Sequence, residues 1–469
     1  MDMVSDRQTI AQSRRLGPAT TPGADVQELS TQLVNLQQLR EQLVYLHEFS
    51  DFYRPRFEAA GLRRSDLANL SRLSDLAFTT KEELRDSQLA APPLGTHAAM
   101  ALRDTVRVHS STGTTGRPSW VGLSRRDAAT WTAITARALV TQGLEPSDVV
   151  IHATSLALFV GGLPVKDAIE SIGATLVPIG TGNSERAVLA ARTLGCNVLH
   201  STPSYAVYLA DYVRQHYDID PRELGIRKIM VGGEPGGGEP AVRGRIQDDW
   251  GARLTEGMGN ADIAPIIWAE CPHQEGMHFT AAADVAVELI DPASGADLEF
   301  EEGAEGELVY TTVNRECSPL LRMRSRDRIV VLGDQCRCGR TTPRIRCVGR
   351  TDDMLIVLGV NVFPSAIRDL VAELHPATTG ALQILLPRPG PRVEPPLQLV
   401  VEYGREAMAL PALASQLSAL IRGRLQISVA IELVPPDTLP RSEMKTQLIR
   451  RLYEEQTQAP TELAERSRP

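Results

Sequence analysis

The sequence predicts an α/β protein in which a large N-terminal domain with a parallel-rich sheet is followed by a small α+β C-terminal domain, and three observations carry this. Between residues 105 and 310 short apolar, β-branched runs alternate with helical stretches, the signature of successive strand–helix units feeding a parallel sheet. After Val348 the composition changes: Gly349, Arg350, Thr351, Asp352 and Asp353 precede an apolar run over 354–362, and the chain then reads strand, helix, strand, helix, strand. The length, 469 residues with 42% hydrophobic and 23% charged residues, suits two or three domains on a prior of about 150 residues each.

The elements follow in order. Residues 1–27 are polar and carry Pro18, Pro22 and Gly23, so a flexible leader is expected. Leu29, Leu33, Leu36, Leu39, Leu43 and Leu46 recur at helical spacing and predict one or two amphipathic helices up to Ala60. Thr80 and Lys81 open another short helix. Strands are expected over 149–153, 175–179, 197–201 and 228–232, with helices over 185–194 and 203–215 between them. The large domain is thus read as 28–350, the small one as 351–455, and 456–469 as a disordered tail. No internal repeat is present.

Forty-nine Lys and Arg against 58 Asp and Glu give a net charge of −9. That argues against a nucleic-acid partner and leaves nucleotide binding to local loops. The first 25 residues hold Arg14 and Arg15 but no apolar signal core, and no run approaches the roughly 20 apolar residues that span a bilayer. A cytoplasmic protein with no membrane partner is expected. Its six cysteines, at 196, 271, 317, 336, 338 and 347, are then free, buried or metal-bound rather than paired.

One loop stands out. Ser110, Ser111, Thr112, Gly113, Thr114, Thr115, Gly116, Arg117 and Pro118 pack two glycines, five hydroxyls and one cation into nine residues. Backbone N–H groups, hydroxyls and a guanidinium can all face a polyphosphate there, although Walker A spacing is absent.

At these residues the sequence resembles the adenylate-forming superfamily, in its phenylacetate–CoA ligase branch, whose loop reads S-S-G-T-T-G-K-P. Further segments match in the branch's order: Phe78-Thr79-Thr80-Lys81, Phe159-Val160-Gly161-Gly162-Leu163, Thr202-Pro203-Ser204-Tyr205 and Gly232-Gly233-Glu234-Pro235. Pro319-Leu320-Leu321-Arg322-Met323-Arg324-Ser325-Arg326-Asp327, Gly349-Arg350-Thr351-Asp352-Asp353-Met354, Gly359-Val360-Asn361-Val362-Phe363-Pro364 and Leu439-Pro440-Arg441-Ser442-Glu443-Met444-Lys445 complete the set. The similarity runs over about residues 40 to 452.

The resemblance implies a large adenylate-forming domain, a small mobile domain on a hinge, and activation of a carboxylic acid, aromatic in this branch, by ATP and Mg²⁺ to an acyl-AMP that passes to CoA. On it, the loop from Ser111 to Arg117 grips the β- and γ-phosphates, with Arg117 replacing a Lys. Gly233, Glu234, Pro235, Met258, Gly259, Asn260 and Arg350 surround the nucleotide, and Asp327 accepts the ribose hydroxyls. Lys445 meets the developing charge at the α-phosphate, and Asp352 is the hinge. Phe159, Gly161, Lys166 and Ala261 border the acyl pocket. A homodimer is among the assemblies open to such a chain. An enzyme with another acceptor (an amine, a carrier-protein thiol or a small inorganic nucleophile such as nitrite) keeps the same adenylation step. A nucleotide-binding regulator that has lost catalysis would not need Lys445.

Two departures matter. Where the family reads Y-G-x-[ST]-E, this chain has Met258-Gly259-Asn260-Ala261-Asp262, so Asp262 replaces the Mg²⁺-holding Glu. Where the branch reads G-G-L-G-A-H-Y-G, Lys166 and Asp167 replace His and Tyr, which suits a hydroxylated or amino-substituted acid paired with them. Finally, Cys271, His278, Cys336 and Cys338 match a Glu-Cys…His and Cys-x-Cys-Gly set in some members and would close a structural Zn²⁺ site, with His273 and Cys317 as possible substitutes.

Overall fold

The computed structural model describes residues 36–68, 73, 76–111, 119–406, 409–440 and 447–454. The expected leader and tail, the centre of the phosphate loop from Thr112 through Gly113, Thr114, Thr115 and Gly116 to Arg117, and Lys445 lie outside the described residues.

The leucine repeat forms α1 (Leu36–Phe49), followed by α2 (Arg54–Ala59) and α3 (Arg64–Leu67). Leu39, Leu43 and Leu46 bury one stripe of α1 against Tyr53, Phe57 and Leu321, the packing an i, i+4, i+7 pattern dictates. The backbone N–H of Leu321 donates to the Tyr53 hydroxyl at 3.1 Å and ties these helices to the main body. Helix α4 (Lys81–Ala90) starts where expected, because Thr80 and Glu83 satisfy each other's backbone N–H in a capping box.

Strands β1 (Arg107–Ser110) and β2 (Trp120–Leu123) pair antiparallel, with Ser110 opposite Trp120, so the hydroxyl-rich loop joins two hydrogen-bonded strands. After α5 (Arg125–Thr141) the chain alternates as its sequence implies: β3 (Val149–His152), α6 (Leu163–Ile172), β4 (Thr175–Pro178), α7 (Ser184–Leu194), β5 (Val198–Ser201), α8 (Pro203–Tyr217), β6 (Lys228–Gly232), α9 (Pro240–Trp250) and β7 (Arg253–Asn260). These strands are parallel in the order β4-β3-β5-β6-β7.

Beyond residue 260 the crossover helices stop, and with them the parallel pairing. Strands β8 (Ala264–Glu270), β9 (Met277–Phe279), β10 (Val285–Ile290), β11 (Asp297–Leu298), β12 (Glu305–Thr312), β13 (Met323–Val331) and β14 (Arg344–Arg350) extend the same sheet antiparallel, in the order β7-β8-β9-β14-β13-β12-β10-β11. Strand β13 buries every second residue, as a strand with one face on the core should.

The last part holds β15 (Leu355–Val357), β16 (Val360–Val362), α10 (Pro364–Ala372), β17 (Thr378–Leu386), β18 (Arg392–Val393), β19 (Leu397–Tyr403), α11 (Leu410–Leu425), β20 (Val429–Val434) and β21 (Ile449–Arg451). Leu355, Ile367, Leu382, Leu399, Leu413 and Ile421 belong to a separate apolar cluster drawn from residues after 354, so this part closes a core of its own. It meets the rest through charge: Arg368 on α10 pairs with Glu239 at 2.9 Å, and Asp369 accepts from the backbone N–H of Ala241 at 3.0 Å. Among the described residues no helix is long and apolar enough to cross a membrane, and the cysteines form no disulfide.

Candidate active site

A cleft of about 340 Å³ opens where β3, β5 and β6 end, between the parallel half of the sheet, α4, β13 and the start of the C-terminal part. This is where open α/β sheets bind ligands. It gathers Ser111, Phe159, Gly161, Gly233, Gly259, Asn260, Ala261, Asp262, Arg350 and Asp352 from the expected positions, with Asp353 and Arg451 from the C-terminal part.

Asp262 follows the β7 strand, its turn held by the Asn260 side chain, which accepts from the Asp262 N–H at 3.0 Å. Gly259 is required here, since a Cβ would stand 1.9 Å from the Pro265 carbonyl oxygen. Arg315 donates to the Asp262 and Ile263 carbonyls at 3.0 and 2.9 Å, fixing the backbone from behind. The Asp262 carboxylate is clasped by the Lys81 ammonium, which also donates to Ser119 Oγ at 2.6 Å. Ser119 Oγ lies 2.9 Å from Ser111 Oγ. A cation, a carboxylate and two hydroxyls therefore form one network at the two ends of the hydroxyl-rich loop.

In the sequence Lys81 was marked as a helix start and as the last letter of a motif, with no sign of its partner. Lys81 is the first residue of α4, where the helix dipole disfavours a cation by about 0.3–1 kcal/mol. Asp262, 181 residues away, supplies the offset.

On the far wall, β13 and β14 pair Asp327 with Arg350. Arg350 donates to Asp327 at 3.1 Å and to both oxygens of Asp352 at 2.9 and 3.0 Å. Burial alone would raise the Asp352 pKa, but Arg350 outweighs it and holds this carboxyl below its usual range. Asp327 itself is buried and is not part of the lining, which Ser325, Arg326 and Arg350 form here.

Other expected positions fall outside the cleft lining. Glu234 points back to the N-terminus of α8, accepting from the Ser204 backbone N–H at 2.9 Å and from its hydroxyl; Pro235 follows it out of the lining. Met258 packs against the apolar core. For Lys166 the structure corrects the sequence reading: α6 begins at Leu163 and carries Lys166 away from the cleft, where it pairs with Glu170 at 2.7 Å and Asp167 at 3.4 Å, while Asp167 pairs with Arg107 at 2.8 Å. In contrast, His200 on β5 lines the cleft although nothing in the sequence marked it.

Away from the cleft, Cys271, His278, Cys336 and Cys338 converge, with one ligand atom from each lying within 4.8 Å of the others. Cys271 Sγ is 3.7 Å from Cys336 Sγ, and Cys338 Sγ is 3.4 Å from His278 Nε2. Tetrahedral zinc, with Zn–S near 2.3 Å and Zn–N near 2.0–2.1 Å, requires edges of about 3.8 and 3.6 Å. The donor set and its spacing thus fit the ion. His273 and Cys317 are not part of this group.

A broad sheet, half parallel and half antiparallel, ending in a cleft shared with a small α+β part is the layout of an adenylate-forming enzyme. The family profile described as AMP-binding enzyme matches residues 55–314, and that of the AMP-binding enzyme C-terminal domain matches 359–451. The chain belongs to the AMP-binding enzyme family. It is 32% identical over 425 residues to the phenylacetate–coenzyme A ligase of Thermus thermophilus, covering 87% of this chain and 93% of the relative. To the Escherichia coli enzyme of the same name it is 31% identical over 437 residues, covering 92% and 96%. Among solved structures, 2-hydroxyisobutyryl-CoA ligase in the postadenylation state with 2-HIB-AMP superposes with a TM-score of 0.83 at 27% identity, covering 95% of this chain and 96% of that one. The same ligase with 2-HIB-AMP and CoA in the thioesterification state gives 0.65 at 28% identity, covering 95% and 97%.

Proposed function

We propose that the cleft performs both half-reactions of acid activation on a small, ring-bearing carboxylic acid. The chain is an ATP-dependent, AMP-forming acid–CoA ligase. An oxygen of the acid's carboxylate attacks the α-phosphorus of ATP and pyrophosphate leaves; the thiolate of CoA then attacks the acyl carbon and AMP leaves with the former carboxylate oxygen. The observation that carries this reading is the cleft that brings Lys81, Asp262 and Ser111, linked through the buried Ser119, together with Arg350, which is bonded to Asp327.

In this reading the hydroxyl-rich loop and Lys81 bind the polyphosphate, and Asp327 accepts from the ribose hydroxyls, an acceptor role suited to an ionised carboxylate. Asp262 with the hydroxyls of Ser111 and Ser119 is the hard-oxygen set that would hold Mg²⁺, whose charge offsets that of the phosphates when bound. Lys445 is proposed as the cation that stabilises the charge developing at the α-phosphate, and Asp352 as the hinge. The cysteine and histidine cluster is proposed as a closed, structural Zn²⁺ site remote from the chemistry. Pyrophosphate release across a panel of aryl and arylacetic acids, with mass spectrometry of the products with and without CoA, tests the reading: acyl-AMP should form in both cases and acyl-CoA only with CoA. Pyrophosphate release without any acyl-CoA would move the acceptor to an amine, a carrier thiol or nitrite.

A further inference from the structure

Two histidines that the chemistry above leaves unused stand side by side in the parallel sheet. His152 on β3 and His200 on β5 are in register; His152 is wholly buried, and His200, 7% exposed, lines the cleft. Their Nδ1 atoms are 3.0 Å apart. A hydrogen bond between two identical ring nitrogens requires one to carry the proton and the other a lone pair.

The surroundings of His152 decide which. Its Nε2 lies 3.2 Å from the Gly162 carbonyl oxygen and 3.2 Å from Thr154 Oγ1. The Thr154 hydroxyl donates its proton to the Gly161 carbonyl at 2.8 Å. Both neighbours of Nε2 can therefore only accept, so Nε2 is protonated. Burial lowers the His152 pKa to about 4, so the ring is neutral and its Nδ1 is bare. His200 must then supply the proton from its own Nδ1. Burial, together with the adjacent imidazole, also holds His200 well below its ordinary pKa, so it is neutral as well. Its Nε2 is left as a lone-pair acceptor on a ring that lines the cleft.

The lining around this wall includes Phe159, Val165, Val231 and Ile266, which offer no polar side-chain group, and Thr154, whose hydroxyl proton is already given to the Gly161 carbonyl. Before an acid binds, water can satisfy the lone pair. An acid that displaces the water without offering an N–H or O–H leaves a desolvated acceptor unpaired, and such sites discriminate strongly against analogues lacking the group.

We infer that His200 Nε2 is a specificity-determining acceptor and that the acid this enzyme activates carries a hydroxyl or amino donor on the part that faces β5. The inference rests on the reading of the cleft as an acid-activating site. It returns a polar acid to the pocket, with the contact on the sheet floor instead of on Lys166 and Asp167.

The test is adenylation kinetics, read as pyrophosphate release, on matched sets of aryl and arylacetic acids that bear at each ring position hydrogen, hydroxyl, amino or methoxy. Wild-type enzyme should favour the hydroxyl or amino member of at least one set over both its hydrogen and methoxy members, by roughly 10- to 100-fold in kcat/KM. The methoxy group retains an acceptor but has no donor, so it separates hydrogen bonding from size. In His200→Leu the preference should fall to about unity. The wild-type comparison does not depend on that variant folding. Efficient release from hydrogen or methoxy members without a donor preference in any set overturns the role of His200 and leaves acid activation intact. Release with no acid overturns the functional reading and the inference with it.

Discussion

Replacing Lys81 by Met keeps the length of the side chain and removes its charge. The ammonium is largely buried against a nearly buried carboxylate, and its partners are Asp262 and Ser119. A hydrogen bond to a charged group contributes about 1.5–3 kcal/mol. The folded protein should lose about that much, since Asp262 retains only its 3.4 Å contact from Ser119. The same range applies in the working enzyme: without Lys81, the Asp262 charge faces the polyphosphate unopposed. A loss of 1.5–3 kcal/mol corresponds to roughly a 10- to 150-fold fall in kcat/KM for ATP. The assay is pyrophosphate release at saturating acid, titrated in ATP and separately in Mg²⁺, with chemical denaturation of the same samples. Lys81→Arg should recover part of the loss, because the charge is retained while the geometry changes. Parent-like kcat/KM with an unchanged Mg²⁺ dependence, in a variant whose stability has dropped, would show that Lys81 only props Asp262 and takes no part in nucleotide binding.

Three further outcomes follow from the site. Asp327→Asn should raise the KM for ATP by roughly tenfold or more by weakening acceptance from the ribose, with kcat changing less; parent-like KM in an ATP titration would place the ribose elsewhere. The purified protein should contain about one zinc per chain, and Cys336→Ser with Cys338→Ser should lose it together with several degrees of thermal stability; elemental analysis finding no zinc in protein prepared without chelators would remove the metal. Lys445→Ala should slow acyl-adenylate formation by roughly 10²–10³-fold in single-turnover measurements while ATP binding changes little, and formation at the parent rate would shift the role to another cation.

What the sequence revealed depended on how local the cause is. The parallel half of the sheet was legible because each strand is a short apolar run separated from the next by an amphipathic helix, and β3, β4, β5 and β6 lie within a residue or so of the expected runs. The antiparallel half was harder to read. In β13 the buried positions include the polar Ser325 and Asp327, so the segment stood out as a motif more than as a strand. Resemblance drew attention to Cys271, His278, Cys336 and Cys338, and the β9–β14 pairing is what brings residues so far apart in the chain near one another. Lys166 misled because it is close to Phe159 and Gly161 in sequence, yet one turn of α6 is enough to point it elsewhere. The contacts of Lys81 with Asp262 and of His152 with His200 had no local signal: they exist only because a helix terminus meets a strand end and two parallel strands share a register.

The arrangement of the two parts bears on the order of the half-reactions. One ligase compared in two states gives a TM-score of 0.83 in the postadenylation state and 0.65 in the thioesterification state, at nearly equal identity, so the difference lies in how the parts sit and not in how they fold. The arrangement of this chain is thus more similar to that ligase's postadenylation structure than to its thioesterification structure, and Asp353 and Arg451 lie on the cleft wall. The contacts that hold this arrangement are mostly polar: Arg368 with Glu239, Asp369 with the N–H of Ala241, and Arg245 with the carbonyl oxygen of Thr379. Ala372 is the one residue of the C-terminal part in the buried cluster beneath α8 and α9 among the described residues. An ion pair desolvated in a closed interface regains its hydration when the interface opens, so its net contribution is small even where its geometry is specific. Apolar surface has no such return, since exposing it costs about 25 cal/mol per Å². On the proposed reading the small part must leave this position before CoA can reach the acyl-AMP. An interface built from charges sets the docked register and still opens at low cost, and Arg350, bonded to both Asp327 and Asp352, places the proposed ribose acceptor and the proposed hinge on a single guanidinium.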